Sequence, residues 1–187
     1  MLKSLSEIFH SVATGSRRTR ELLTPLGLLI FGLTLAAVVV LGLYTDRVLR
    51  MPEMLPGPEG ATVGVVLLLL GSTLTGWCVL RFRRAKGTPV PFNPPQELIV
   101  SGPYVWMRNP MVTGVFTILF GLGFVLHSVS IVLIWTPLYI LMHVVELKTV
   151  EEPELERRFG ATYTEYKRTV PMFIPRPWRR RTQRPAG

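Results

Sequence analysis

Two stretches of this 187-residue chain carry residue types and spacings that a simple connecting loop does not need. The first reads Ser101-Gly102-Pro103-Tyr104-Val105-Trp106-Met107-Arg108-Asn109-Pro110-Met111. Gly102-Pro103 supplies a tight turn, Pro110 suits the first turn of a following helix, and Arg108 is a fixed cation beside two aromatics. The second reads Glu151-Glu152-Pro153-Glu154-Leu155-Glu156-Arg157-Arg158-Phe159-Gly160, then Tyr163, Tyr166, Lys167, Arg168 and Pro171. Glu152-Pro153 reads as a helix start, with carboxylates complementing the amino-terminal dipole. Leu155, Phe159, Tyr163 and Tyr166 add an aromatic stripe. The chemistry on offer is ion pairing, hydrogen bonding and aromatic packing at a boundary. Each stretch also has a plainer reading: a snorkelling arginine among interfacial anchors, and a solvated amphipathic helix packed on apolar neighbours. Neither accounts for Glu146, one helical turn from His143 at the end of an apolar run, because ionisable groups at membrane depth are functional candidates by default.

Other chemistries find little to work with. Cys78 is the single cysteine, so no internal disulfide or cysteine-based metal site can form. His10, His127 and His143 are scattered without metal-ligand spacing, and no metal is expected. A Gly-rich phosphate loop, a GxSxG elbow and an alternating strand–helix pattern are all missing from the sequence.

The elements that position these residues are apolar helices. Residues 24–44 contain no charge and cover about 30 Å as a helix, the thickness of a bilayer core. A Pro- and Gly-rich loop over 46–60 leads to a second uncharged run, 61–80. Residues 81–109 are polar, basic and broken by prolines. The apolar stretch that follows would reach about 54 Å as one helix, so it divides into spans at 110–127 and 130–146 around His127-Ser128-Val129-Ser130. Pro137 is expected to kink the fourth span. Ahead of the first, Leu2, Leu5, Phe9 and Val12 recur at helical spacing, predicting an amino-terminal interfacial helix followed by the cluster Arg17, Arg18 and Arg20. The expected fold is all-α and polytopic: four transmembrane helices, that interfacial helix and a cytoplasmic carboxy-terminal helix.

Charge sets the orientation. Net charge is +9, from 21 Lys and Arg against 12 Asp and Glu, and mean hydropathy is positive at +0.35. The first loop carries two Lys or Arg and the 127–130 turn none, whereas the amino terminus carries four, the middle loop five and the region after the fourth span ten. With four spans the three basic groups share one face, and the positive-inside rule puts both termini in the cytoplasm. Basic flanks of this kind contact anionic lipid, and nucleic-acid binding is the weaker reading.

The two stretches together resemble a known family. Gly102-Pro103-Tyr104, then Arg108-Asn109-Pro110-Met111-Val112-Thr113-Gly114, a hydrophobic hairpin, Glu151-Glu152, Phe159-Gly160, Tyr163, Tyr166 and Ile174-Pro175 follow the pattern of the isoprenylcysteine carboxyl methyltransferases. Their relatives include the phospholipid methyltransferases. The likeness covers residues 96–175 of a single methyltransferase-like domain, 1–175, with a basic tail at 176–187. It implies an integral membrane methyltransferase using S-adenosyl-L-methionine, without a Rossmann fold, and a hydrophobic small-molecule acceptor arriving from the bilayer. Carried over by position, Gly102, Pro103, Tyr104, Arg108, Asn109, Pro110, Met111 and Gly114 line the cofactor pocket on one side, and Glu151, Glu152, Tyr163 and Tyr166 close it from the other. Arg108 and Glu152 are the expected catalytic positions. The family's histidine is Asn109 here and its tyrosine is Met111, so the site has neither an imidazole nor a hydroxyl at those places.

Methyl transfer from a sulfonium is an in-line displacement that depends on positioning more than on acid–base groups. A carboxylate or thiolate acceptor arrives nucleophilic, whereas an amine needs a base such as Glu146 or His143. The implied acceptor is an isoprenylcysteine-type carboxylate. Phospholipid N-methylation, thiol S-methylation and a catalytically inactive four-span interaction protein are the alternatives.

Overall fold

In the computed structural model the described residues are 17–85 and 97–175, with side chains described from Pro25 onward. Helix α1 spans Arg17–Leu49 and α2 spans Pro58–Arg84. A single 3-10 turn at Gly102–Val105 leads to α3, Pro110–Val125, with Pro110 in its first turn as expected. A continuous helical run follows. It begins with a π-turn at Ile131–Trp135 and passes through α4 (Thr136–Glu146), a second π-turn (Leu147–Glu151) and α5 (Glu152–Phe159). Gly160, at φ +54°, ends it in a backbone conformation that residues with a side chain rarely adopt, and α6 spans Ala161–Thr169. The described residues are all-helical apart from turns and one isolated bridge, Glu53 to Ser128.

Three helices are long and apolar enough to cross a membrane: Pro25–Leu49, Pro58–Arg84 and Ile131–Phe159. Helix α3 is apolar but has only 16 residues, about 24 Å, short of a full hydrocarbon core. The expected interfacial helix and basic tail lie mostly or wholly outside the described residues. Arg17, Arg18 and Arg20 belong to the first turns of α1 itself rather than to a separate connecting segment.

Glu152-Pro153 opens α5, with Pro153 and the carboxylates in its first turn, but α5 continues the preceding run without a break instead of starting a separate helix. Both prolines of the long run follow a five-residue π-turn by two positions: Pro137 after Ile131–Trp135, and Pro153 after Leu147–Glu151. Proline lacks the N–H for a helical hydrogen bond, and its ring crowds the carbonyl four residues back. A wider π-turn just ahead opens that carbonyl ring and lets the helix continue.

Helices α2 and α3 pack antiparallel along a glycine seam. A Cβ on Gly121 would stand 2.9 Å from the Gly64 carbonyl oxygen, and one on Gly114 would stand 2.9 Å from that of Gly71. Seven residues separate the glycines on both helices, so the two backbones touch at two matched heights. Small residues permit this approach where lipid offers no hydrophobic drive for association. On the other side of α3, Val115, Phe116 and Leu119 form a buried core with Val38 of α1 and Tyr139 of α4.

The turn at 127–130 behaves as expected. Asp46, near the end of α1, accepts hydrogen bonds from the Ser128 hydroxyl and from the Ser130 N–H at 2.9 Å, tying α1 to the start of the fourth helical run. Met54 N–H donates to the His127 carbonyl at 2.9 Å, so the 50–57 loop closes over the same end of the bundle. The two motif-bearing stretches lie at the opposite end.

Candidate functional site

The site forms where the 102–109 turn meets α5, α6 and the segment after α6. Gly102 adopts φ +64°, and the 3-10 turn then buries Pro103 and Tyr104. The Tyr104 ring meets Phe82 at the end of α2 in a T-shaped contact, with centroids 6.1 Å apart. Its carbonyl accepts a hydrogen bond from the Tyr166 hydroxyl at 2.7 Å. Tyr163, Tyr166 and Val170 form a small core of their own, packed with Leu98, Leu155 and Phe159. The aromatic stripe of the sequence is therefore the glue of this end.

Arg108 is the hub. Its Nε donates to the Val170 carbonyl at 3.0 Å, and its Nη1 donates to Glu152 and, at 3.4 Å, to the Tyr163 hydroxyl. Its backbone N–H donates to the Pro171 carbonyl at 2.8 Å, and the neighbouring Asn109 N–H donates to Met172 at 3.1 Å. Residues 170–173 thus return along the turn and set Phe173 against Phe116, 5.7 Å between centroids. The Arg108 and Glu152 side chains are only 10% and 8% exposed, so the pair is drawn well out of water.

The Glu152 carboxylate has a second cation. Lys167 Nζ lies 2.7 Å from its other oxygen and 3.0 Å from Glu156. These hydrogen bonds, to Glu152 first, hold the Lys167 ammonium above its ordinary range. Arg108 loses some basicity to burial, but its bonds to Glu152 and Tyr163 outweigh that and raise it. Burial pushes the Tyr163 phenol up to about 12 despite the hydrogen bond from Arg108. Tyr104 is raised further, by burial first and then by Cys78 beside it. Both phenols are therefore neutral hydrogen-bonding groups at any physiological pH.

Glu151 differs from Glu152. It is accessible, and among the described residues it enters no ion pair, while Glu146, Tyr104 and Tyr163 stand within its electrostatic reach. The π-turn explains the Glu146 neighbour: its i→i+5 hydrogen bonding brings residues five apart closer to one face than an α-helix would. His143 lies deeper, its Nδ1 donating to the Tyr139 carbonyl at 3.1 Å and its ring packed on Tyr139 and Phe116.

Most of the residues picked from sequence meet here. Tyr104, Arg108, Glu151, Glu152, Tyr163 and Tyr166 come together, with Asn109 and Met111 half-buried at the start of α3. Pro103 and Pro110 are fully buried wall residues. Gly114 faces α2, where a Cβ would meet the Thr75 side chain and the Gly71 carbonyl, so its contribution is to helix spacing. Lys167 was missed as a site residue. Along a straight helix it would stand about 16 Å from Glu156 and about 22 Å from Glu152, and only the bend at Gly160 brings them together. No group of three or more His, Cys, Asp or Glu side chains gathers to hold a metal among the described residues.

The family model for phospholipid methyltransferase matches residues 60–162, from α2 through the start of α6. The chain belongs to the phospholipid methyltransferase family. This bears out the resemblance read from Gly102-Pro103-Tyr104 and Glu151-Glu152, since the family comprises membrane methyltransferases of the isoprenylcysteine type. Family and apolar helices together make this an integral membrane protein. As a phospholipid methyltransferase family member it is also similar to the nickel-cobalt-cadmium resistance protein NccN of Alcaligenes xylosoxydans xylosoxydans. The two are 29% identical over 115 residues, covering 62% of this chain and 49% of the relative. The chain therefore spans about half the length of that curated relative.

Proposed function

We propose that this chain is an S-adenosylmethionine-dependent methyltransferase of the membrane, acting on a lipidic or membrane-partitioning acceptor. The observation that carries the reading is the meeting of Tyr104, Arg108, Glu151, Glu152, Tyr163 and Tyr166 at one end of the bundle, in a family of membrane methyltransferases. The donor set fits the cofactor's polar groups. Glu151, accessible and without an ion-pair partner among the described residues, suits an ammonium or ribose hydroxyls, while Arg108 and the aromatic rings suit a carboxylate and an adenine or sulfonium. Bound there, S-adenosylmethionine supplies an electrophilic methyl group open to in-line displacement.

The chain's own contribution is positioning. Arg108 fastens the 102–109 turn to residues 170–171 and to Glu152, which fixes the spacing of the two pocket walls. Pro103, Pro110 and Gly102 shape the turn, Gly114 keeps α3 tight on α2, and Asn109 and Met111 complete the wall between them. A site at the membrane boundary excludes water and strengthens each of these polar contacts. In this reading α3 is a fourth, short crossing, and both termini and the site face the cytoplasm. All but two of the 21 Lys and Arg fall in segments adjoining the site end, which supports that orientation.

The resemblance favours an isoprenylcysteine-type carboxylate as acceptor. A second reading, an amine acceptor, has a specific observation behind it: the cations at the cluster, Arg108 and Lys167, are already engaged by Glu152 and Glu156. An anionic acceptor would have to compete for them with those glutamates and with the cofactor's own carboxylate at Arg108, whereas an amine could lose its proton to Glu146 or His143.

Calorimetry of the full chain in detergent tests the function. Binding of S-adenosylmethionine is expected, with loss in Arg108→Ala, Glu152→Ala and Glu151→Gln, and retained or strengthened binding in Met111→Tyr. Absence of binding at millimolar cofactor would sink the enzyme reading and leave a membrane interaction protein. Lipid extracts incubated with methyl-labelled cofactor and resolved by mass spectrometry would identify the acceptor.

A further inference from the structure

The cytoplasm-proximal end of α2 carries charge and aromatic surface that the methyl-transfer reading does not use. Trp77 and Trp106 meet edge to face, with centroids 5.8 Å apart and planes at 78°, yet remain 38% and 53% exposed. Two large exposed indoles at the end of a span mark the level where acyl chains give way to headgroups. Trp77, Arg81 and Arg84, at i, i+4 and i+7, share one face of α2, and the exposed Leu80 adjoins them. Among the described residues none of Arg81, Arg83 and Arg84 is in an ion pair, while Arg108, Arg158, Lys167 and Arg168 all are.

Arg81 also lies against the turn. Its guanidinium lies over Gly102, where a Cβ would come within 2.8 Å of Nε, and the φ of +64° at Gly102 independently disfavours any larger residue. The turn therefore leaves room for a cation beside an apolar, aromatic surface.

We propose that Trp77, Leu80, Arg81, Arg84 and Trp106 form a binding site for one anionic phospholipid of the surrounding leaflet. The phosphate pairs with Arg81 and Arg84, and an acyl chain runs along Trp77 and Leu80 beneath the Trp106 ring. The apolar lower half selects a lipid over a soluble phosphate, which would use only the upper half. The site lies on the outer side of the turn whose inner side carries Tyr104, so a bound lipid braces that turn from the bilayer. It does not depend on what the protein methylates.

Native mass spectrometry of the full chain, titrated with phosphatidylglycerol or phosphatidylcholine in detergent, reads the site directly. We expect one phosphatidylglycerol retained in preference to phosphatidylcholine. Arg81→Gln should weaken it about fivefold, the equivalent of ~1 kcal/mol for one basic residue near the surface. Arg47→Gln, which removes a cation from the opposite end of the bundle, should leave it unchanged, and glycerophosphoglycerol, the headgroup without chains, should fail to displace the lipid. Equal retention of the two lipids, an unaltered affinity in Arg81→Gln, or equal losses in Arg81→Gln and Arg47→Gln would each overturn the proposal. Displacement by the chain-free headgroup at matched concentration would overturn the lipid assignment.

Discussion

The Tyr166 hydroxyl donates to the main-chain carbonyl of Tyr104 at 2.7 Å, across 62 residues of sequence. A side chain of α6 thereby holds the backbone of the 102–105 turn, so the turn's shape depends on α6 being docked. Tyr166→Phe keeps the ring and removes the bond. We expect it to cost about 1 kcal/mol, the usual worth of one buried hydrogen bond, read as a downward shift in thermal midpoint in detergent. An unchanged midpoint would show that the bond contributes nothing.

Arg108 uses the fork of its guanidinium, reaching Val170 through Nε and Glu152 through Nη1. A lysine ammonium is a single point of charge and cannot span both. Arg108→Lys is expected to destabilise by about 2 kcal/mol, within the range for hydrogen bonds to charged groups. Combining it with Glu152→Gln should cost less than the two single losses together, because the partners touch. Additive losses in a double-mutant cycle would show that the pair is uncoupled.

Alkaline pH should loosen this end of the molecule. Lys167 is held above its ordinary 10.5 by Glu152 and Glu156, and burial lifts Tyr163 from 10.0 to about 12. For both groups the fold favours the protonated form. Their contribution is therefore complete below pH ~10 and is lost as pH rises through the folded values. The thermal midpoint should fall between about pH 10 and 12, and Tyr163→Phe should flatten part of that fall. A midpoint that stays level between about pH 10 and 12 would contradict this assignment.

The glycines of α2 and α3 offer a paired test. A Cβ at Gly114 would press on the Thr75 side chain and the Gly71 backbone, whereas one at Gly76 would meet nothing within 4 Å. Gly114→Ala is expected to cost about 1–3 kcal/mol through overpacking. Gly76→Ala should be neutral or mildly stabilising, since alanine is the better helix former. Equal effects on thermal unfolding would remove the seam as a packing device.

Local signals in the sequence located much of this architecture. Uncharged runs marked the first two helices, and His127-Ser128-Val129-Ser130 marked the turn that Asp46 secures. Arg108, Glu152, Tyr163 and Tyr166 stood out by residue type and order. Their partnerships did not, because a bond such as Arg108 to Val170 joins residues far apart in the chain. The expected helix start at Glu152-Pro153 came from reading proline as a boundary, and the π-turn at Leu147–Glu151 removes the conflict that makes it one. The glycine seam did leave a trace, the seven-residue spacing of Gly64 and Gly71 repeated by Gly114 and Gly121, but it gains meaning only once the two helices are known to be antiparallel neighbours.

That seam also constrains how the molecule can move. Slipping α3 along α2 by one helical turn would bring side chains against backbone at both matched heights, so the pair works as a keyed shaft with a single seated position. The fourth helical run carries no such key, and its two π-turns interrupt the regular hydrogen-bond ladder twice. The α2–α3 pair is thus the fixed frame, and the Arg108–Glu152 pair is where the fourth run is moored to it.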